Sequence, residues 1–186
     1  MVKGKLYFIA IIPPHPYKDI ISEVKNSFAK TYHVSHALKS PPHITLIPPF
    51  KISETQEKEV VDFLNKFVEN AFSFHLKVEN YSCFKPRVIF LKPILNEYLK
   101  NLYQKISQEF YDLFPIGQLS KRPFHPHLTI AFRDLKAKTF YRAWKEYEAK
   151  TFKAEFLVDR IFLLKHDGKK WEEFRWFRFD DNQLPV

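Results

Sequence analysis

Pro41-Pro42-His43-Ile44-Thr45-Leu46 is a stretch whose pattern returns downstream as Pro126-His127-Leu128-Thr129-Ile130. Alternate side chains of a β-strand point to the same side, so the His and the Thr of each copy share one face of a strand. The two copies lie too far apart in the sequence to form one hairpin, but they suit two similar lobes. We therefore expect the lobes to face each other, so that two imidazoles and two hydroxyls line one cleft.

The composition indicates a folded, basic protein. The 186 residues include 30 Lys and Arg against 21 Asp and Glu, and the formal net charge is +9. Such an excess favours an anionic partner such as RNA or a nucleotide, although basic charge also serves solubility alone. With 45% hydrophobic residues the chain can build a real core, and no apolar run reaches the roughly 20 residues that span a bilayer. We expect one bilobal domain over residues 1–186, with no membrane contact.

The number of cysteines limits which covalent and metal sites the chain can form, and it indicates the redox state of its compartment. Cys83 is the only cysteine, so the sequence excludes an internal disulfide and a thiolate metal cluster. A reduced cytoplasm fits this usage best. The apolar run near the N-terminus is short and lacks a small-residue cleavage site, so we interpret it as a strand. We expect a monomer that uses neither a cofactor nor a metal.

Hydrophobic periodicity predicts the order of the elements. Continuous or alternating apolar residues predict strands at 6–12, 73–78, 87–91, 155–164 and 171–179. Helical spacing predicts helices at 17–32, 53–70, 95–114 and 136–151. The first motif strand should end at Pro48-Pro49, and residues 166–169 should form a hairpin turn. Each motif strand is thus followed by a helix and then strands, which favours a pseudo-symmetric α+β protein.

The paired motifs point to acid–base chemistry at a phosphodiester. Most single histidines lie at the surface or in the core without a catalytic role. Two matching copies of the motif, each preceded by proline, are better explained by function. Histidine titrates near pH 6.5, so two imidazoles in one cleft can supply a general base and a general acid. The hydroxyls of Thr45 and Thr129 can bind phosphate oxygens. His43 and His127 are therefore the candidate catalytic residues.

At these residues the chain resembles the 2H phosphoesterase superfamily, the group of bacterial 2'-5' RNA ligases and RNA 2',3'-cyclic phosphodiesterases. The resemblance covers nearly the whole sequence. It implies a bilobal fold with two antiparallel-rich sheets facing a central cleft, helices on the outside, and metal-independent catalysis. It also implies that His43 donates a proton, that His127 accepts one, and that Thr45 and Thr129 bind phosphate.

We therefore expect hydrolysis, or reversible ligation, of a 2',3'-cyclic or 2'-5' phosphodiester of RNA or a nucleotide. A phosphodiesterase for a small cyclic nucleotide or an ADP-ribose derivative would use the same four residues. A non-catalytic RNA-binding protein on the same fold is the alternative from another class. Two intact motif histidines argue against that alternative, because Lys or Arg would serve simple phosphate binding equally well.

Further side chains near the motif strands are candidates for binding the rest of the substrate. His125 is expected at the rim of the cleft. The basic candidates for phosphate contacts are Lys85, Arg87, Lys121, Arg122 and Arg133. The aromatic candidates for base stacking, each as easily explained by packing, are Phe50, Phe84, Phe124 and Phe132.

Two further patterns leave alternatives open. Relatives in the RNA ligase-like branch often carry Arg five residues after the second motif His, whereas Phe132 occupies that position here and Arg133 follows. One step along a strand reverses the side-chain direction, which would turn Arg133 away from the substrate. His125 and His127, joined by His33 or His36, could also be imagined as a zinc site, but no carboxylate or thiolate partner stands at a recognisable spacing.

Overall fold

The computed structural model describes residues 4–116 and 123–180 of the chain. Its eight strands within these residues are β1 (Lys5–Ile11), β2 (Ile44–Ile52), β3 (Phe74–Phe84), β4 (Val88–Pro93), β5 (Leu128–Ala131), β6 (Lys153–Val158), β7 (Arg160–His166) and β8 (Trp171–Arg178). The α-helices are α1 (Tyr17–Tyr32), α2 (Glu54–Val68), α3 (Glu97–Leu113) and α4 (Ala137–Tyr147), and a short 3₁₀ helix spans His36–Lys39.

The strands form two four-stranded sheets in which every pairing is antiparallel. Sheet 1 has the strand order β2-β1-β7-β8, and sheet 2 has the order β5-β4-β3-β6. The two motif strands, β2 and β5, therefore occupy the same place, one edge of each sheet. This arrangement confirms the predicted α+β class with two related antiparallel sheets.

The helices cross over between the sheets. Helix α1 follows a strand of sheet 1 but contacts β5 of sheet 2, while α3 leaves sheet 2 and contacts β2 of sheet 1. Helices α2 and α4 contact β8 and β4, respectively. Because each motif strand is covered by a helix from the other half of the sequence, the two repeats are packed into each other.

Strand β1 shows why the sheets need covering on both faces. Its last five residues are all buried, as the uninterrupted apolar run predicts. Ile9 and Ile11 belong to the main hydrophobic core, which also contains apolar residues of sheet 2. Phe8 and Ala10 lie on the opposite face in a smaller apolar cluster with Leu164. The ring of Phe8 also lies beside that of His43. The smaller cluster is therefore on the face of sheet 1 that carries this motif histidine.

Three predicted strand boundaries are wrong. Strand β3, predicted to end at residue 78, continues to Phe84. Strand β2 does not end at Pro48-Pro49 but continues to Ile52. Both prolines are exposed, and the pairing register with β1 is irregular nearby. An edge strand tolerates residues without an N–H, because one of its sides has no neighbour to bond.

The single strand predicted at 155–164 is two strands in different sheets. Strand β6 pairs with β3 in sheet 2, whereas β7 pairs with β1 and β8 in sheet 1. Asp159 stands between them, accepting two hydrogen bonds from the Arg160 guanidinium at 2.8 Å. The chain thus changes sheets within one residue, which an alternating pattern of side chains cannot reveal.

Other predicted features are confirmed. Helix α1 has the expected span, and the β7–β8 hairpin closes where the turn was expected, with the Asp167 amide donating to the Lys170 carbonyl. Helix α2 begins where a helix was expected, and Ser53 and Gln56 form a capping box there. Among the described residues, none of the helices combines the length and apolar character that a bilayer crossing requires.

Candidate active site

Both motif histidines stand immediately before the strands that carry the motif threonines. Strand β2 begins at Ile44 and β5 begins at Leu128, and both of these side chains are fully buried in the core. Thr45 and Thr129 are only half-buried, as are the two histidines. Alternation along the chain therefore anchors each motif by its apolar residues and leaves its polar residues accessible, as predicted.

The ring orientation of each motif histidine is fixed by the same hydrogen bond. His43 Nδ1 lies 2.8 Å from the carbonyl oxygen of Pro41, and His127 Nδ1 lies 2.8 Å from that of His125. A carbonyl oxygen only accepts, so Nδ1 must carry the proton in both rings. Each neutral imidazole then keeps a lone pair on Nε2, and each protonated one has an Nε2–H to donate. Nε2 is therefore the atom that can exchange a proton with a substrate.

Aromatic rings support both imidazoles. The ring of His43 lies 4.7 Å from the ring of Phe8 on β1. The ring of His127 lies 5.4 Å from Phe84 and 5.6 Å from Phe90, which are on β3 and β4. In each half-site the supporting rings come from strands other than the motif strand itself. The sheets thus hold the histidines from the side as well as from the backbone.

The two histidines lie within electrostatic reach of each other. Burial, with smaller contributions from the positive charges of Lys25 and His127, lowers the pKa of His43 from 6.5 to about 4, while its hydrogen bond to Pro41 opposes the shift. Protein atoms pack densely around this imidazole, although part of its surface remains open. His43 is consequently neutral at pH 7 in the free protein.

Lys25 is the residue near the site that the sequence interpretation missed. Its side chain is only 4% exposed, and its ammonium donates a 2.6 Å hydrogen bond to the carbonyl of Ser40. Burial lowers its pKa to about 8. A signal was present in the sequence, because Lys25 falls between Ile21 and Phe28 on the buried stripe of α1. A lysine on an apolar helical stripe is unusual enough to single out.

Several predicted substrate contacts lie next to the site. Lys85 and Arg87 are exposed in the turn between β3 and β4, directly after Phe84, whose ring contacts His127. His125 is exposed, and its ring lies 6.5 Å from that of Phe84. The ring of Phe84 thus lies near those of both His125 and His127, and the turn that carries Lys85 and Arg87 follows it directly. Lys121 and Arg122 fall outside the described residues.

Phe124 and Phe50 are packed elsewhere. The ring of Phe124 stacks on Tyr103 of α3, with centroids 3.9 Å apart and an interplanar angle of 5°. Phe50 is buried in the main core, where its ring lies 4.9 Å from that of Phe110. Its place at a cleft is therefore a wrong prediction, because the alternation after the two prolines turns Phe50 inward.

Arg133 does not lie on a strand, so the alternation of side chains along a strand does not decide its direction. Strand β5 ends at Ala131, and Arg133 adopts a left-handed conformation with φ 58° in the loop that follows. Its guanidinium lies 5.5 Å from the ring of Phe132. The charge of Arg133 also helps burial to lower the pKa of His36, which stacks edge-on against Phe132. Arg133 is thus exposed beside the 3₁₀ helix, rather than on a strand face.

Within residues 4–116 and 123–180, no three His, Cys, Asp or Glu side chains cluster closely enough to hold a metal ion. His125 and His127 are neighbours along the chain, but neither His33 nor His36 joins them in such a group.

The chain matches the family described as the 2'-5' RNA ligase superfamily over residues 12–170. The chain belongs to this superfamily. Among its relatives is a protein from Geobacillus sp. (strain WCH70), named only as a phosphoesterase, which is 31% identical over 92% of this chain and 94% of its own length. The RNA 2',3'-cyclic phosphodiesterase of Bacillus subtilis is 33% identical over 67% of this chain and 69% of its own length.

Solved structures share the fold of this superfamily member at lower identity. A crystal structure of a protein from Thermus thermophilus superposes with a TM-score of 0.63 at 19% identity, covering 96% of this chain and 100% of that one. Escherichia coli LigT in complex with 3'-AMP gives a TM-score of 0.63 at 19% identity, covering 95% of this chain and 98% of LigT. These likenesses confirm the fold.

We predict that both motif imidazoles carry their proton on Nδ1 when neutral, and that the pKa of His43 lies near 4 in the free protein. Carbonyl acceptors fix the tautomer, and burial lowers the pKa. Long-range ¹H–¹⁵N NMR correlations across a pH titration report both properties, with His43→Gln and His127→Gln variants for assignment. A neutral His43 protonated on Nε2, or one that titrates near its ordinary pKa, would contradict this description.

Proposed function

We propose that the protein is a metal-independent phosphodiesterase acting on 2',3'-cyclic or 2'-5' phosphodiesters of RNA or nucleotides. The observation that carries this proposal is the matched pair of imidazoles, each with Nδ1 bound to a carbonyl and Nε2 left for proton exchange. The superfamily match and the phosphodiesterase relative in Bacillus subtilis support the same class of reaction.

Four motif side chains suffice for such a reaction. In hydrolysis, Nε2 of His127 accepts a proton from water while the water oxygen attacks phosphorus in line with the departing ribose oxygen. The bond from phosphorus to that oxygen breaks, and Nε2 of His43 donates a proton to it. The hydroxyls of Thr45 and Thr129 donate hydrogen bonds to the non-bridging oxygens, where negative charge is held during the reaction. The reverse sequence of proton transfers would join two RNA ends.

Because His43 is buried, it can act as the acid only if it first gains a proton. With a pKa of about 4, His43 is neutral at pH 7 and has no Nε2 proton to donate before substrate binds. A bound phosphodiester adds a negative charge beside the ring, and an adjacent opposite charge favours the protonated imidazole. We therefore propose that substrate binding itself drives the protonation of His43.

The charge of the protein supports a nucleic acid or nucleotide substrate. The formal net charge is +9, and the exposed Lys85 and Arg87 lie in the turn that directly follows Phe84, whose ring contacts His127. Crystal structures of LigT contain 3'-AMP, phosphate, NADP+ and ATP, which are ligands of that protein and share phosphate groups. A phosphate-bearing nucleotide is accordingly the ligand class that this site suits best.

We predict that His43→Ala and His127→Ala each lower kcat on a nucleoside 2',3'-cyclic phosphate by about 10² to 10⁴-fold, the usual worth of a positioned acid or base. Thr45→Ala or Thr129→Ala should lower kcat/KM by only about 10 to 100-fold, because each removes one hydrogen bond to a charged oxygen. Steady-state kinetics in EDTA, with circular dichroism as the folding control, measures all four. A folded His127→Ala protein with near wild-type turnover would sink the two-histidine mechanism.

A change of leaving group separates the acid from the base. A p-nitrophenyl phosphodiester releases a stable anion that needs no proton, so the His43→Ala variant should recover most of its activity on that substrate. His127→Ala should stay impaired, because water still has to lose a proton. The ratio of kcat/KM values on the two substrates, taken for each variant, measures this selective rescue. Rescue of His127→Ala instead would show that the roles are reversed.

A further inference from the structure

A basic pocket lies against Pro41 and Pro42, the two residues before His43. Its volume is about 210 Å³, and it lies between α1, the 3₁₀ helix, the Pro41-Pro42 segment and the start of β8. Three of its lining side chains are cationic, namely Lys25, Lys39 and Lys170, and none of the described residues that line it is acidic. The nearest acidic partner of Lys170 is Glu172, at 3.1 Å in an exposed pair. The pocket therefore suits an anion.

Lys25 shows that this pocket is more than a patch of surface lysines. Its ammonium is buried and, among residues 4–116 and 123–180, is bound to one acceptor, the Ser40 carbonyl at 2.6 Å. An ammonium has three N–H donors, so the carbonyl satisfies only part of this buried charge. Burying a charge is costly unless it is paired. An anion in the pocket would supply the missing counter-charge.

The pocket is adjacent to the candidate active site without being part of it. Pro41 and Pro42 line it, and His43 is the next residue in the chain. Trp171, on another side of the pocket, lies 4.7 Å from Phe8, whose ring lies 4.7 Å from that of His43. A phosphate in the pocket and a phosphate between the motif histidines could therefore belong to the same substrate.

We propose that this pocket binds a second phosphate of the substrate, the one on the 5' side of the nucleoside whose phosphodiester is cleaved. The inference rests on the proposed function, and it makes the preferred substrate an RNA end or a 5'-phosphorylated nucleotide rather than a simple nucleoside cyclic phosphate. Both sources offer the same chemistry, a phosphate oxygen for the lysines.

Three substrates test the proposal and distinguish its sources: adenosine 2',3'-cyclic phosphate, its 5'-phosphorylated form, and a dinucleotide ending in a 2',3'-cyclic phosphate. The wild-type protein should have a lower KM for the second and third than for the first. The Lys39→Ala/Lys170→Ala variant, which alters only exposed side chains, should raise KM about 2 to 30-fold for those two. Its KM for the first substrate and all kcat values should not change. A preference for the 5'-monophosphate alone would make the ligand a nucleotide rather than an RNA end.

Salt dependence and a matched variant complete the test. The slope of log KM against log salt should fall by about 0.7 in the double variant on the dinucleotide, as for the loss of one phosphate contact on a single strand. The control is Lys66→Ala/Lys105→Ala, which removes two exposed lysines from the groove between α2 and α3. Equal effects of both variants, or equal effects on all substrates, would show a general charge effect and overturn the proposal.

The binding of reaction products tests the pocket independently of the proposed reaction. Calorimetry should show that adenosine 3',5'-bisphosphate binds more tightly than adenosine 3'-monophosphate, and that Lys39→Ala/Lys170→Ala abolishes the difference. If no substrate turns over but this difference behaves as expected, the proposed function fails and the pocket stands. If turnover proceeds and the difference is absent or survives in the variant, the pocket proposal fails alone.

Discussion

The hydrogen bond from each motif Nδ1–H to the carbonyl two residues earlier is the contact on which the candidate site depends. In both copies a proline separates the carbonyl from the histidine, namely Pro42 and Pro126. In both copies the paired part of the strand begins only after the histidine, at Ile44 and at Leu128. The imidazole can then take the nearby carbonyl as its partner. The carbonyl two residues before each histidine thus sets the tautomer of its imidazole.

The two half-sites are similar in plan but unequal in environment. Thr45 stands opposite Ala10 on the neighbouring strand, whereas Thr129 stands opposite Phe90. The His43 side also holds the buried Lys25, whose charge helps to keep His43 neutral. In the free protein these surroundings favour a neutral His43, so its proposed role as the acid depends on the negative charge of the bound substrate. The asymmetry of the packing therefore matters as much as the symmetry of the motif.

Much of the fold and the centre of the site follow from the sequence because both depend on local alternation. The apolar neighbours of each motif His and Thr are buried, which fixes where the polar pair points. What alternation cannot show is pairing between distant strands, so the change of sheets at Asp159 was missed. Phe50 was misplaced for a related reason, because the two prolines before it hid the continuation of β2.

Lys25 illustrates another limit of sequence interpretation. Its position on the buried stripe of α1 is visible in the sequence, but its partner, the Ser40 carbonyl, is brought near only by the tertiary fold. The loop position of Arg133 likewise depends on where β5 ends, and element ends are the least predictable feature of a strand. Residues on the motifs could thus be named in advance, whereas residues that act on the motifs from other elements could not.

The proposed reaction requires that one phosphate group is shared by the two motif histidines. A crystal structure of the protein with bound inorganic phosphate tests it most directly. We expect phosphate oxygens within about 2.7–3.2 Å of Nε2 of both His43 and His127, a normal hydrogen-bond distance. Phosphate bound to only one of these atoms, or Nε2 atoms directed away from each other with phosphate elsewhere, would contradict it.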